Sequence, residues 1–421
     1  MNILVIGGGG REHALVWKLK SSSKIDKIYC APGNAGISED AICVSIKSDD
    51  INDLLEFAKQ NKIDLTIVGP EQPLTMGITD LFLKNRLKIF GPTKQASQLE
   101  GSKSYMKEFC IRHNIPTAKA EIFNNPHKAK AYLDKKDFPV VVKADGIAAG
   151  KGVIICNNKN EAEKAIDSIM VEHAFGDAGN QIVIEDFLQG EEASFIAISD
   201  GENILPLATS QDHKQVFDND KGPNTGGMGA YSPAPVITDE TFSKVIDKIM
   251  MPTIKGMADE GRKYVGVLYA GLMIKDNEPY LLEFNCRFGD PETEPIMMRL
   301  KSDLLSVILK TIDGSLKDVS LEWDISSAVC VVMASKGYPG KYEKGEKISG
   351  LKEVKSLNNV KVFHAGTAKA DDNFIVNGGR VIGVTALGSD IKSAIDNVYH
   401  AVNKISWKGV HYRKDIGKKA L

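Results

Sequence analysis

The alternation of short apolar runs with helically spaced segments over the first hundred residues constrains the fold more than any other feature of this chain. NILVI at residues 2–6 is apolar throughout and runs straight into four glycines. Residues 12–19 follow with helical spacing at Ala14, Leu15, Trp17 and Leu19. Residues 27–31, 65–68 and 87–90 are further strand-like runs, with helical segments at 51–60 and 78–85 between them. Strands buried on both faces and separated by helices predict a doubly wound parallel sheet. Such sheets bind ligands beyond their strand C-termini. Residues 7–10 and 69–72 stand at two ends of that kind.

The pattern then changes. Residues 102–120 read as a Ser-capped helix with a proline-terminated exit. Residues 121–190 carry helix, strand, glycine-rich loop, strand, helix and strand. Residues 191–325 supply more strands, a polar loop at 210–235, and helices at about 238–262 and 292–313. A smaller α/β unit follows, closed by an amphipathic helix at 391–405. We expect three α/β units over 1–101, 102–325 and 326–421, with 121–190 a subdomain of the second. A chain of 421 residues is long enough for that. Its 53 basic and 55 acidic residues leave no basic footprint, which argues against nucleic acid or membrane as partner. No apolar run approaches the ~20 residues of a bilayer span. The N-terminus reads as a strand and not a signal peptide. Six scattered cysteines without zinc spacing read as reduced core residues of a cytosolic protein.

Four segments carry chemistry. In VIGGGGREHA, a strand, a glycine-rich turn and a helix start gather backbone N–H groups for an anion. Gly9 and Arg11 are its candidate contacts; the bland alternative is a tight turn. A dinucleotide site needs G-x-G-x-x-G, and its last position falls on Glu12 or His13, which disfavours a nicotinamide oxidoreductase. In KADGIAAGKGV, a Gly/Ala/Lys loop joins two strands and can fold over a triphosphate. Lys143 precedes this loop, and Gly150, Lys151 and Gly152 lie within it. In VIEDFLQGEEAS, the strand end around Glu185 and Leu188 can read an adenine edge, and Glu192 can take ribose hydroxyls. Alone, that segment is equally an exposed strand end. In YLLEFNCRFGDPETE, Glu283 and Asn285 share one strand face at ~7 Å spacing. Two oxygen donors suit a hard cation that keeps phosphate oxygens in its shell. Arg287 suits a phosphate or carboxylate.

In this order the segments resemble the ATP-grasp superfamily. Together with VGPEQPL and SQDHKQVFDNDKGPNTGGMGAYSP they are similar to the phosphoribosylamine–glycine ligase family along the whole chain. The resemblance implies a Rossmann-like substrate-binding N-terminal domain, a central ATP-grasp domain with a mobile lid, and a small C-terminal domain. It implies Lys103 and Lys143 as nucleotide lysines, residues 145–152 as the phosphate-covering hairpin, and Glu185 to Leu188 as the adenine hinge. Glu192 becomes the ribose carboxylate, and Glu283 with Asn285 the magnesium (or manganese) pair. The neighbouring strand LYAGLMI offers no third ligand. The activity implied is ATP-dependent joining of glycine to 5-phosphoribosylamine through glycyl phosphate, in purine biosynthesis. Asp212 would then serve the amine groups, and Arg287 the carboxylate or acyl phosphate. Asn224, Gly226 and Asp290 are further substrate contacts, and His213 reads as a hydrogen-bonding residue. Small-molecule substrates and a cytoplasmic monomer or weak dimer are expected. A bicarbonate-using carboxylase of the same superfamily, or a nucleotide-binding regulator, would share the nucleotide segments.

Overall fold

The computed structural model describes residues 1–147 and 152–421. Its first sheet is parallel, in the order Ile42–Cys43, Lys27–Pro32, Asn2–Gly7, Leu65–Val68, Ile89–Phe90. Side chains alternate between two cores: Ile3, Val5 and Ile67 pack on one face, Leu4, Ile6 and Val68 on the other. That is why these strands read as unbroken apolar runs. The order reverses beside Asn2–Gly7, so the glycine turn and residues 69–72 flank the crevice at the switch point. Two elements escape sequence reading here. Ile42–Cys43 is only two residues long, and the helix Glu71–Met76 contains a proline.

Two four-stranded antiparallel sheets form the middle of the molecule. One has the order Ile204–Pro206, Glu191–Asp200, Val265–Lys275, Glu278–Asn285; the other Ala120–Phe123, Ile182–Asp186, Val140–Ala144, Val153–Cys156. The helix Lys103–Arg112 starts at Ser102, whose hydroxyl caps the Tyr105 N–H. The helical run expected at 292–313 is broken: Thr293–Arg299 ends at Leu300, and Leu304–Ile312 restarts at an Asp303 cap.

The last sheet is antiparallel, in the order Gln211–Asp212, Gly229–Ser232, Ser327–Ala334, Arg380–Gly388, Val360–His364. Its first two strands come from the polar loop at 210–235, so that loop is an edge of the C-terminal sheet. Within it, Gln215–Phe217 and Lys221–Asn224 form a separate hairpin. The closing helix is Ile391–Val402, capped by Asp390. All six cysteines are free. No helix among the described residues is long and apolar enough to cross a membrane.

Candidate active site

One cleft of about 350 Å³ collects side chains from every part of the molecule. Lys103, Lys143, Glu185, Leu188 and Glu192 line one end, with Gly152 and Ile147 beside them. Glu283, Asn285 and Arg287 lie centrally. Asp212, Asn224, Gly226, Asp290 and Arg11 line the far end. Gly150 and Lys151 fall outside the described residues.

At the first end, Lys143 stands on Val140–Ala144, two positions beyond the cross-strand pair of Val141 and Glu185. The buried Glu185 carboxylate holds two lysines, Lys143 at 2.9 Å and Lys107 at 3.2 Å. Lys107 also donates to Thr117 Oγ1 (2.6 Å) and the Ala118 carbonyl (3.3 Å). An ammonium that is only 1% exposed needs such a full set of partners. Lys107 was not expected, because a lysine on the inner stripe of a helix looks like any surface lysine in sequence. Lys103 donates to the Gly146 carbonyl at 2.8 Å, and burial lowers its pKa, with Glu283 pulling the other way. Phe187 and Leu188 follow the end of Ile182–Asp186 and line the cleft. Glu192 pairs with Lys214 at 3.0 Å.

At the centre, Glu283 lies opposite Gly271, and Asn285 opposite Tyr269. A Cβ on Gly271 would come within 3.2 Å of Glu283 Cγ, so the neighbouring strand gives room and no ligand. Burial would raise the Glu283 pKa, but Lys214, Lys143, Lys103 and Arg287 hold it below the usual carboxylate value. An ionised carboxylate and an amide oxygen, with cations around them, fit a hard divalent ion that shares phosphate oxygens. They do not make a protein-only cage: no cluster of three His, Cys, Asp or Glu metal ligands occurs among the described residues.

Arg287 is held more firmly than its sequence suggests. Its guanidinium meets Glu71 at 3.2 Å and Glu100 at 3.1 Å, and donates to Asn285 Oδ1 (3.0 Å) and the Phe288 carbonyl (3.2 Å). Burial pushes Glu100 up to about 7 despite Arg287. Glu71 and Glu100 were not expected as site residues. Glu71 lies inside the quoted VGPEQPL, but its partner is more than two hundred positions away.

At the far end, burial pushes Asp212 up to about 7; Glu292, Glu192 and Glu283 add to the rise and Lys214 opposes it. Lys214 is held protonated by Glu192, Asp212 and Glu283 against its own burial. Gly226 and Asp290 are joined by Arg380, which donates to the Gly226 carbonyl (2.6 Å) and pairs with Asp290 (2.8 Å). Arg380 opens the strand Arg380–Gly388, with nothing local in the sequence to mark its role.

Gly9 lies beside the cleft, where a Cβ on it would stand 3.3 Å from Asp290 Oδ2, and its N–H donates to the Glu12 carboxylate at 2.6 Å. The same carboxylate packs against Gly7 and Gly69, where a Cβ would collide with it, and pairs with Arg11 at 2.6 Å. One expectation is corrected: the His213 imidazole makes no hydrogen bond among the described residues. It is buried against Tyr231 and pushed down to about 4 by burial and by Arg413 and Lys419.

Comparison with known proteins agrees with this geometry. Family models described as Phosphoribosylglycinamide synthetase match in three parts: the N domain at residues 1–100, the ATP-grasp (A) domain at 101–293 and the C domain at 328–419. The chain is 53% identical to the phosphoribosylamine–glycine ligase of Pseudomonas aeruginosa, over 100% of its own length and 98% of the relative's. It is 54% identical to that of Escherichia coli O6:H1, over 100% and 99%. Among solved structures, the phosphoribosylamine–glycine ligase of Thermotoga maritima superposes with a TM-score of 0.87 at 33% identity, covering 99% of this chain and 100% of that one. A Campylobacter jejuni biotin carboxylase shares the fold at TM-score 0.75 and 17% identity, covering 99% and 94%.

Proposed function

This chain belongs to the phosphoribosylglycinamide synthetase family, and from that membership we propose how its cleft carries out the family's reaction. The reaction is an ADP-forming ligation in purine biosynthesis: glycine, 5-phosphoribosylamine and ATP give glycinamide ribonucleotide, ADP and phosphate. One observation supports the assignment most strongly. Lys143, the Glu283/Asn285 pair and the Asp212/Lys214 pair, from three separate segments, converge on one cleft.

In this reading Lys103 and Lys143 bind the ATP phosphates, with Glu185 keeping the Lys143 ammonium in place. Phe187 and Leu188 offer main-chain groups to the adenine, and Glu192 takes the ribose hydroxyls. Glu283 and Asn285 hold Mg²⁺ or Mn²⁺, which when bound neutralises phosphate charge. A glycine carboxylate oxygen attacks the γ-phosphorus and the bond to the ADP oxygen breaks, leaving glycyl phosphate. The amine nitrogen then attacks the glycyl carbonyl carbon, phosphate departs and the nitrogen loses a proton. Such transfer needs positioning and charge neutralisation more than a covalent side chain. Arg287, fixed by Glu71 and Glu100, presents its charge at the acyl phosphate. Asp212 accepts from the ammonium or amine groups, and Asn224, Gly226, Asp290 and Arg11 bound the amine substrate. A cytoplasmic monomer or weak dimer, and boundaries near 101 and 325, belong to the same reading.

The test is ADP release in the presence of a divalent cation. It is expected only when glycine and phosphoribosylamine are both present. ADP formation driven by bicarbonate instead would overturn the assignment in favour of a carboxylase.

A further inference from the structure

Asp212 and Lys214 stand two residues apart and both line the cleft, as alternation along an extended chain requires. They lead into the hairpin Gln215–Phe217/Lys221–Asn224. A two-stranded hairpin of this size is not stable alone. Its turn puts Asn219 and Asp220 in the left-handed region, at φ 59° and 52°, and leaves Phe217 52% exposed. Something outside the hairpin must fix its direction.

The last eleven residues of the chain do this. Arg413 is buried, and its Nη1 donates to the Gln215 carbonyl (3.1 Å) and to Asp220 Oδ1 (2.9 Å). Its Nε and Nη2 form a fork on Asp415, 2.7 Å each. Asp415 also accepts the Asn219 N–H at 2.8 Å, and the Lys414 N–H donates to Asp218 Oδ1 at 2.8 Å. Lys419 pairs with Asp220 at 2.6 Å, and His411 Nε2 donates to the Val216 carbonyl at 2.8 Å. A buried guanidinium is tolerated only when its partners are in place, and its planar fork fixes direction as well as distance.

We infer that Arg413, oriented by Asp415, is the positioning residue that aims Asp212 and Lys214 into the cleft. The inference rests on the assignment of those two residues to the substrate end. It gives the extreme C-terminus a role in catalysis through a hairpin almost two hundred residues earlier.

The test uses the full-length variants Arg413→Gln, Arg413→Lys and Asp415→Asn. ADP release is titrated separately with glycine, phosphoribosylamine and ATP, beside native-state hydrogen exchange over residues 213–225. For Arg413→Gln we expect kcat/KM for glycine or the amine to fall about 100-fold, the scale of a misplaced binding group. Exchange should accelerate in 213–225 and not in the parallel sheet. Arg413→Lys, with charge but no fork, should recover only part of the loss. Asp415→Asn, which keeps Arg413 and its volume, should show the same pattern more weakly. Wild-type kinetics in Arg413→Gln and Asp415→Asn, or activity lost in proportion to general unfolding with exchange raised everywhere, would overturn the inference. A wild-type chain that releases no ADP with glycine and the amine fails the functional reading instead; the exchange measurement then still judges the brace.

Discussion

Asp212 is the residue whose chemistry is most sensitive to its surroundings. Burial and the carboxylates of Glu292, Glu192 and Glu283 push it up to about 7, with the Lys214 ammonium opposing. Below that value it is mainly neutral and a weak acceptor for an ammonium; above it, ionised. At limiting glycine or amine, kcat/KM is therefore expected to rise with pH and level off above about 7, since this parameter reports the free enzyme. Asp212→Asn should lower kcat/KM and abolish that rising limb. An unchanged profile in the variant would remove Asp212 as the titrating group. The same shift has a stability sign. A carboxyl whose folded pKa lies above its usual 3.8 binds protons more tightly when folded, so its contribution to stability falls as pH climbs from about 4 to 7.

At the scale of elements, the contact between the start of the helix Lys103–Arg112 and residues 145–146, just past the strand Val140–Ala144, couples phosphate binding to local stability. Asp145, just past that strand, accepts from the Ser104 N–H (3.0 Å) and hydroxyl (2.7 Å) and from the Ser102 hydroxyl (3.1 Å). It is a carboxylate at a helix N-terminus, and it fixes Lys103 beside Gly146. Asp145→Ala is expected to cost about 1 kcal/mol, as lost caps do, and to raise the half-saturating ATP concentration several-fold with little change in kcat. A melting curve and an ATP titration check both, and an unaltered ATP titration would break the link. Asp145 also marks what sequence could and could not carry. The parallel sheet, the Glu283/Asn285 strand end and the strands flanking 145–152 were legible, because period and strand-end chemistry are local. The tie from Asp145 to Ser104, the Lys107–Glu185 pair and the Glu71–Arg287–Glu100 clamp join positions 41 to 216 residues apart. Their members are ordinary charged residues locally, and only the packed structure makes them partners. Glu12 is a related case: its carboxylate takes the Gly9 N–H of the turn, a role that its position in a nucleotide fingerprint does not show.

For the whole molecule, the C-terminal unit is part of the cleft and not an appendage. Gly229–Ser232 pairs with Ser327–Ala334, from Gly229 opposite Val331 to Ser232 opposite Ala328. Arg380 ties Gly226 to Asp290. On the other side, His13 and Trp17 of the first helix pack on Phe363 with ring centroids at 5.7 Å, and the His364 N–H donates to His13 Nδ1 at 2.7 Å. Asn34 adds a 2.7 Å bond to the His364 carbonyl. Removing residues 326–421 would leave Gly229–Ser232 unpaired on one side, expose the face of the first helix that Phe363 covers, and leave Asp290 without its arginine. An exposed strand edge of that kind promotes association between chains. A fragment of residues 1–325 is therefore expected to aggregate or to lose glycine-dependent ADP release altogether, although it keeps Lys143, Glu283 and Asn285. Co-expression with 326–421 should restore turnover, because the interface is formed by sheet pairing and buried ion pairs and needs no covalent link. The comparison is made by size-exclusion chromatography and ADP release on the two preparations. A monomeric 1–325 fragment with full activity would mean that the C-terminal unit contributes neither strand nor charge to the working cleft.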